Sequence, residues 1–149
     1  MLGNAAFSAP RIALGYLIIC SADLSTHYSN DYFDAKANSQ GEGGKTFGGS
    51  RILFEHPELL PLSRFVALAL MLLSLVLTAI SVLAWGIPGE MLGMAIGANL
   101  LGWFYSAPPV RLSARGLGEM AIALGTGLII PGAGYLATRG QFDPLFLLL

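Results

Sequence analysis

"FVALALMLLSLVLTAISVLAW", residues 65–85, contains no charged side chain. At about 1.5 Å per residue, roughly 20 apolar residues cross a hydrocarbon core of about 30 Å. A buried helix of a soluble protein seldom has that length with no polar face. The stretch reads as a transmembrane helix and sets the fold class as all-α, an integral membrane helical bundle.

Composition agrees. The 149 residues are 54% hydrophobic and 11% charged, with a mean hydropathy of +0.66, whereas a soluble domain carries about a quarter charged residues. Three weaker spans surround the first. Residues 10–30 begin apolar and turn polar, residues 87–107 include Glu90 and Asn99, and residues 116–138 include Glu119 and Pro131. With a span over about 64–86, these predict four full spans and the start of a fifth at Pro144, all in one partial domain over 1–149. A cleaved signal over the first twenty residues fits poorly: the positive n-region is weak and the helix runs on past Cys20.

The net charge of −1 gives no field favouring nucleic acid. The single cysteine, Cys20, excludes an internal disulfide. Of the 19 glycines, Gly93 and Gly97 form a GxxxG pair, and Gly118, Gly125, Gly127, Gly132 and Gly134 crowd the last span. These read as helix-packing positions. No glycine fingerprint follows a strand, so nucleotide binding is not indicated.

Basic residues set the orientation. Lys36, Lys45, Arg51 and Arg64 lie in the connection between the first two spans, and Arg111 and Arg115 in the connection between the third and fourth. Both connections fall on one face and hold six of the eight Lys and Arg residues. That face is expected to be cytoplasmic, in the plasma membrane of a bacterium or archaeon.

The densest polar chemistry sits on the same face, in "HYSNDYFDAKANSQGEGGKTFGGSR", residues 27–51. Asp31 and Asp34 are three apart, and Asn38 lies a further four on, so on a helix they share a face with Asn30. Two carboxylates this close repel unless a cation lies between them. Mg2+ takes one or two protein carboxylates and completes its shell with water and substrate phosphates. Asn30, Asp31, Asp34 and Asn38 therefore form either a metal–diphosphate site or a solvated helix end. Lys45, Arg51 and Arg111 would bind diphosphate oxygens, since Arg offers phosphate a planar fork. For Lys36 and Arg115 the positive-inside bias is an equally good account.

"NDYFD", residues 30–34, resembles the first aspartate-rich motif of the UbiA superfamily of intramembrane prenyltransferases. "GGSRIL", residues 48–53, is similar to the loop that follows it. "YSAPPVRLSARGLGE", residues 105–119, resembles the matching loop of the branch that prenylates 1,4-dihydroxy-2-naphthoate in menaquinone synthesis. The resemblance implies a nine-span bundle in which Mg2+, held by two aspartate-rich motifs, binds an isoprenyl diphosphate. Diphosphate leaves, an allylic cation develops and an aromatic acceptor attacks it. Asp31 and Asp34 would then serve catalysis, and the face of Tyr105 would either stabilise the cation or belong to an interfacial aromatic belt.

The chain departs from the pattern in two ways. Asn38 and Gln40 stand where a further aspartate is usual, and after Arg139 only Asp143 is acidic. With no second aspartate-rich motif, the expectation is a piece of a larger enzyme, partnered by the remaining part of the bundle and inactive by itself. A non-catalytic membrane fragment is the first competing reading. A four-span transporter subunit is the second, and the sparse polarity at mid-span, with Asn99 its main member, counts against it.

Overall fold

The computed structural model describes residues 9–39, 51–139 and 141. Every regular element among them is helical: α1 (Ala9–Ser39), α2 (Ile52–Glu55), α3 (Leu60–Trp85), α4 (Glu90–Ser106), α5 (Gly118–Leu124) and α6 (Ile130–Arg139). A π turn, Gly125–Ile129, joins α5 to α6. Single 3-10 turns at Pro57–Leu59 and Ser113–Arg115 lead into α3 and out of the loop after α4.

The stops and starts follow local chemistry. Pro61 occupies the first turn of α3, where no backbone donor is needed. Gly86 ends that helix with φ of 64°, a left-handed cap that glycine adopts without penalty. Pro131 lacks the N–H that would bond one turn back. The helix widens to a π turn immediately before it, so the chain passes through without a break.

Two helical stretches, Pro57–Trp85 and Gly118–Thr138, are long and apolar enough to cross a membrane. The four full spans expected from the sequence go beyond these two. α4 has 17 residues, about 25 Å of helix against a core of about 30 Å. α1 has 31 residues, but Asp23 and His27 interrupt its apolar character. The expected fifth span at Pro144 lies outside the described residues.

The distribution of side chains is inverted relative to a water-soluble domain. The buried residues of α3 are Ser63, Ala67, Ser74, Thr78 and Ser81, while Leu83 is 85% exposed and Phe65 and Leu72 are also exposed. α1 buries Ser21, Ser25 and Ser29 at four-residue spacing. These small faces let the backbones approach, and the hydroxyls cross between helices. Ser25 Oγ donates to the Ala67 carbonyl at 2.8 Å, and Ser63 Oγ donates to the Tyr28 carbonyl at 3.0 Å. Small residues and interhelical hydrogen bonds are how helices associate where lipid removes the hydrophobic drive. A compact apolar cluster, Ile87, Met91 and Leu136, packs the opposite end of the bundle.

The glycine expectation holds at Gly118 and Gly125, where a Cβ would meet Tyr105 and Leu101, and needs correction at four other positions. A Cβ at Gly93, Gly97, Gly127 or Gly134 would meet nothing within 4 Å, because these positions face open space rather than a neighbouring helix. Gly102, not singled out in the sequence, is where α4 presses on α1: a Cβ there would run into Thr26 Oγ1.

α1 and α4 run parallel and in register. Thr26 meets Gly102 and Asn30 meets Ser106, at the same offset of 76 residues. Phe33 stacks edge-on against Trp103, ring centres 5.3 Å apart. This register carries the end of α1 and the loop after α4 to one end of the bundle. Arg11 lies at the other end, donating to the Trp85 carbonyl at 3.3 Å.

Candidate functional site

The site is built where α1 emerges beside the C-terminus of α4. Ser106, buried in the last turn of α4, donates its hydroxyl hydrogen bond to Asn30 Oδ1. The same hydroxyl lies within reach of the carboxylate of Asp34, one turn further along α1, so its single hydrogen can serve either acceptor. One small side chain thus ties both polar positions of α1 to the start of the loop Ala107–Leu117.

That loop is folded back on the helix it leaves. Arg111 N–H donates to the Ala107 carbonyl at 3.0 Å, Leu112 N–H to Phe104 at 3.1 Å, and Leu117 N–H to Leu112 at 3.0 Å. Ser113 Oγ donates to the Tyr105 carbonyl, and Arg115 braces the loop by donating to the Pro109 carbonyl at 2.9 Å. Arg111 pays conformationally for its place: at φ of 46° it is the one non-glycine residue with positive φ among the described residues. Such a conformation costs about 1–2 kcal/mol and persists where surrounding structure holds it. It leaves Arg111 half-buried and close enough to Asp34 to act on its charge.

Asp34 lies beyond the apolar part of α1, at the membrane-surface end. Its carboxyl is held above the ordinary range, first by partial burial and then by the neighbouring Asp31 carboxylate. Arg111 and the Ser106 hydrogen bond pull in the other direction without reversing the shift. Asp34 therefore sits where further positive charge would be favourable.

The sequence-predicted residues divide. Asn30, Asp31 and Asp34 are half-buried, with Asn30 against Ser106 and Asp34 near Asp31, Ser106 and Arg111, whereas Asn38 is exposed in the last turn of α1. Arg51 is exposed at the start of α2, which packs on α1. Lys45 lies outside the described residues. Tyr105 is half-buried, its hydroxyl 3.1 Å from where a Cβ on Gly118 would stand, and it lines a cavity of about 470 Å3. That cavity runs beneath the cluster between α1, α3, α4 and the α5–α6 helix, with Asn30 and Tyr105 at its polar end.

A hard cation suits this donor set. Among the described residues, no three His, Cys, Asp or Glu side chains gather as a metal-binding group, so a metal here would have two carboxylates, amide oxygens and outside ligands. Mg2+ is commonly held in that way, and a cation would relieve the repulsion between Asp31 and Asp34.

Sequence reasoning missed Ser106 and took no site role from Asp23 or from His27, which stands too isolated for a zinc site. The last two line the cavity one and two turns below Asn30, paired at 3.6 Å. Their signal was available: ionisable residues in a span are functional candidates. Ser106 had no such signal, because its role depends on a contact 76 residues away. In comparisons with known proteins, no family model, curated protein or solved structure matches the chain.

Proposed function

We propose that the chain binds an isoprenyl diphosphate through Mg2+, as part of prenyl transfer to an aromatic acceptor in quinone synthesis of the menaquinone type. One observation carries the reading: Asp34 faces both Ser106 and Arg111, so the acidic segment on α1 and the basic loop after α4 meet at a single point. The bundle is an integral membrane one with four spans, and its basic end lies on the cytoplasmic face.

Asn30, Asp31 and Asp34 would hold the Mg2+, with Asn38 a turn further along. When bound, the ion draws off the charge that develops on the departing diphosphate. Arg111 engages diphosphate oxygens through its guanidinium, Arg51 is a further cation of that end, and Lys45 is carried as a diphosphate ligand on the sequence reading alone. As the bond between the allylic carbon and oxygen breaks, the acceptor carbon forms its new bond and its proton then passes to the released diphosphate. The apolar cavity excludes the water that would otherwise capture the developing cation, and Tyr105 presents a ring to it.

Membranes containing this chain, Mg2+, labelled geranylgeranyl diphosphate and 1,4-dihydroxy-2-naphthoate test the reading. The expected result is Mg2+-dependent retention of the diphosphate above that of empty membranes, without prenylated product, because one carboxylate pair is present where transfer needs two sets. Retention no greater than in empty membranes overturns the binding proposal. Product above background overturns the requirement for a second set.

A further inference from the structure

A second groove lies between α1 and α3, on the other side of α1 from the acidic cluster. Ser25 bonds the Ala67 carbonyl and Ser63 bonds the Tyr28 carbonyl. The two helices therefore run antiparallel, and Tyr32 falls beside the first turns of α3. Tyr32 and Lys36 form one wall, and Leu60, Pro61 and Arg64 form the other, around a volume of about 520 Å3. At 3.6 residues per turn, Tyr32 and Lys36 each project about 200° away from Asp34. The groove is thus separate from the diphosphate cluster.

Two cations share one ring there. Lys36 Nζ and the Arg64 guanidinium carbon each lie 6.0 Å from the centre of the Tyr32 ring, at the outer reach of a cation–π contact. Among the described residues, neither forms an ion pair with an acidic side chain. Like charges gathered in this way repel, and an anion between them removes the repulsion.

The depth of the groove says which anion. Lys36 is in the last turn of α1 and Arg64 in the second turn of α3, at the membrane-surface end of the bundle. Below them Phe65, Leu68, Leu72 and Val76 follow one another along α3 at three- and four-residue spacing, all exposed. That stripe is about 16 Å long, about half the hydrocarbon core and the depth of one leaflet. An exposed apolar stripe is ordinary for a helix in lipid. Two cations and an aromatic ring at its head are not, and basic pockets between membrane helices suit anionic lipid heads. A choline or ethanolamine head would bring a third cation against Lys36 and Arg64.

We propose that this groove binds an anionic phospholipid, with the phosphodiester between Lys36 and Arg64 and one acyl chain along the α3 stripe. The lipid would clamp the end of α1 to the start of α3.

The test is native mass spectrometry of the full chain taken from vesicles of equal palmitoyloleoyl phosphatidylglycerol and phosphatidylcholine. The expected result is about tenfold or greater enrichment of phosphatidylglycerol among retained lipids. Lys36→Gln and Arg64→Gln should each lower the enrichment about fivefold, the worth of one basic residue beside an anionic headgroup. Both side chains are exposed, so neither variant should disturb folding. Arg115→Gln removes the same charge from the same end of the bundle, outside the groove, and should leave the enrichment intact. Glycerophosphoglycerol, the head without its chains, should not displace the lipid. Equal retention of the two lipids, enrichment that survives Lys36→Gln and Arg64→Gln together, or an equal loss in Arg115→Gln overturns the inference. Displacement by glycerophosphoglycerol also overturns it, in favour of a free phosphate ester. None of these readings depends on whether the chain binds a diphosphate.

Discussion

At the scale of single residues, Asp34 makes the sharpest prediction. Its folded pKa lies above the ordinary value through burial and the Asp31 charge. Between the ordinary and raised values the folded chain holds more protons than the unfolded one. Stability of the metal-free chain should therefore fall as pH rises through that window. Asp34→Asn should flatten this dependence in unfolding measured across the same window, because a neutral isostere suffers no repulsion from Asp31. The same variant should weaken Mg2+ binding by about tenfold or more, the order of loss seen on perturbing metal-site shells. For the unaltered chain, Mg2+ affinity should rise with pH through that window, which calorimetric titration at several pH values measures. A second variant, Ser106→Ala, removes the tie to Asn30 and Asp34. It should cost about 1 kcal/mol of stability and move the Asp34 titration further upward.

The acidic cluster was legible in the sequence because polar residues stand out in an apolar chain, and Arg111 because basic residues gather in loops. Ser106 was not legible. A serine ending a helix is unremarkable until the parallel register of α1 and α4 brings it to Asn30.

At the scale of elements, small contacts decide how the helices meet. Gly102 sits against Thr26, and a β-branched neighbour cannot turn away without presenting another heavy atom: Thr26 Cγ2 is 3.3 Å from the same point. Gly102→Ala should thus destabilise the bundle by about 1–3 kcal/mol, as overpacking does. Gly97→Ala, with nothing within 4 Å, should be neutral or stabilise by up to about 1 kcal/mol through helix propensity. Unfolding of the two variants in denaturing detergent compares them directly, and equal effects would show that the α1–α4 approach is not tight. Sequence periodicity identified the helices but not which glycines touch a neighbour, since GxxxG spacing marks a face without saying what the face meets. The length of α4 was overestimated for a related reason: residues 87–89 before it and Ala107 after it continue the apolar run, but the backbone there is not helical.

At the scale of the whole molecule, the uncharged run at 65–85 was enough to read the all-helical class. The inverted surface, with serines inside and leucines outside, adds a feature that composition alone could not supply. The convergence of the two basic connections at one end followed from alternating spans, and the parallel pairing of α1 and α4 gives it physical form. The central claim is that this end binds a diphosphate through a divalent cation. The affinity of the purified chain for geranylgeranyl diphosphate, with Mg2+ and with a chelator, tests it most directly. The account predicts a loss of about tenfold or more on chelation, a similar loss in Asp34→Asn, and binding of geranylgeraniol that responds to neither. Equal affinity for the diphosphate with and without Mg2+, or in the unaltered chain and Asp34→Asn, would contradict it.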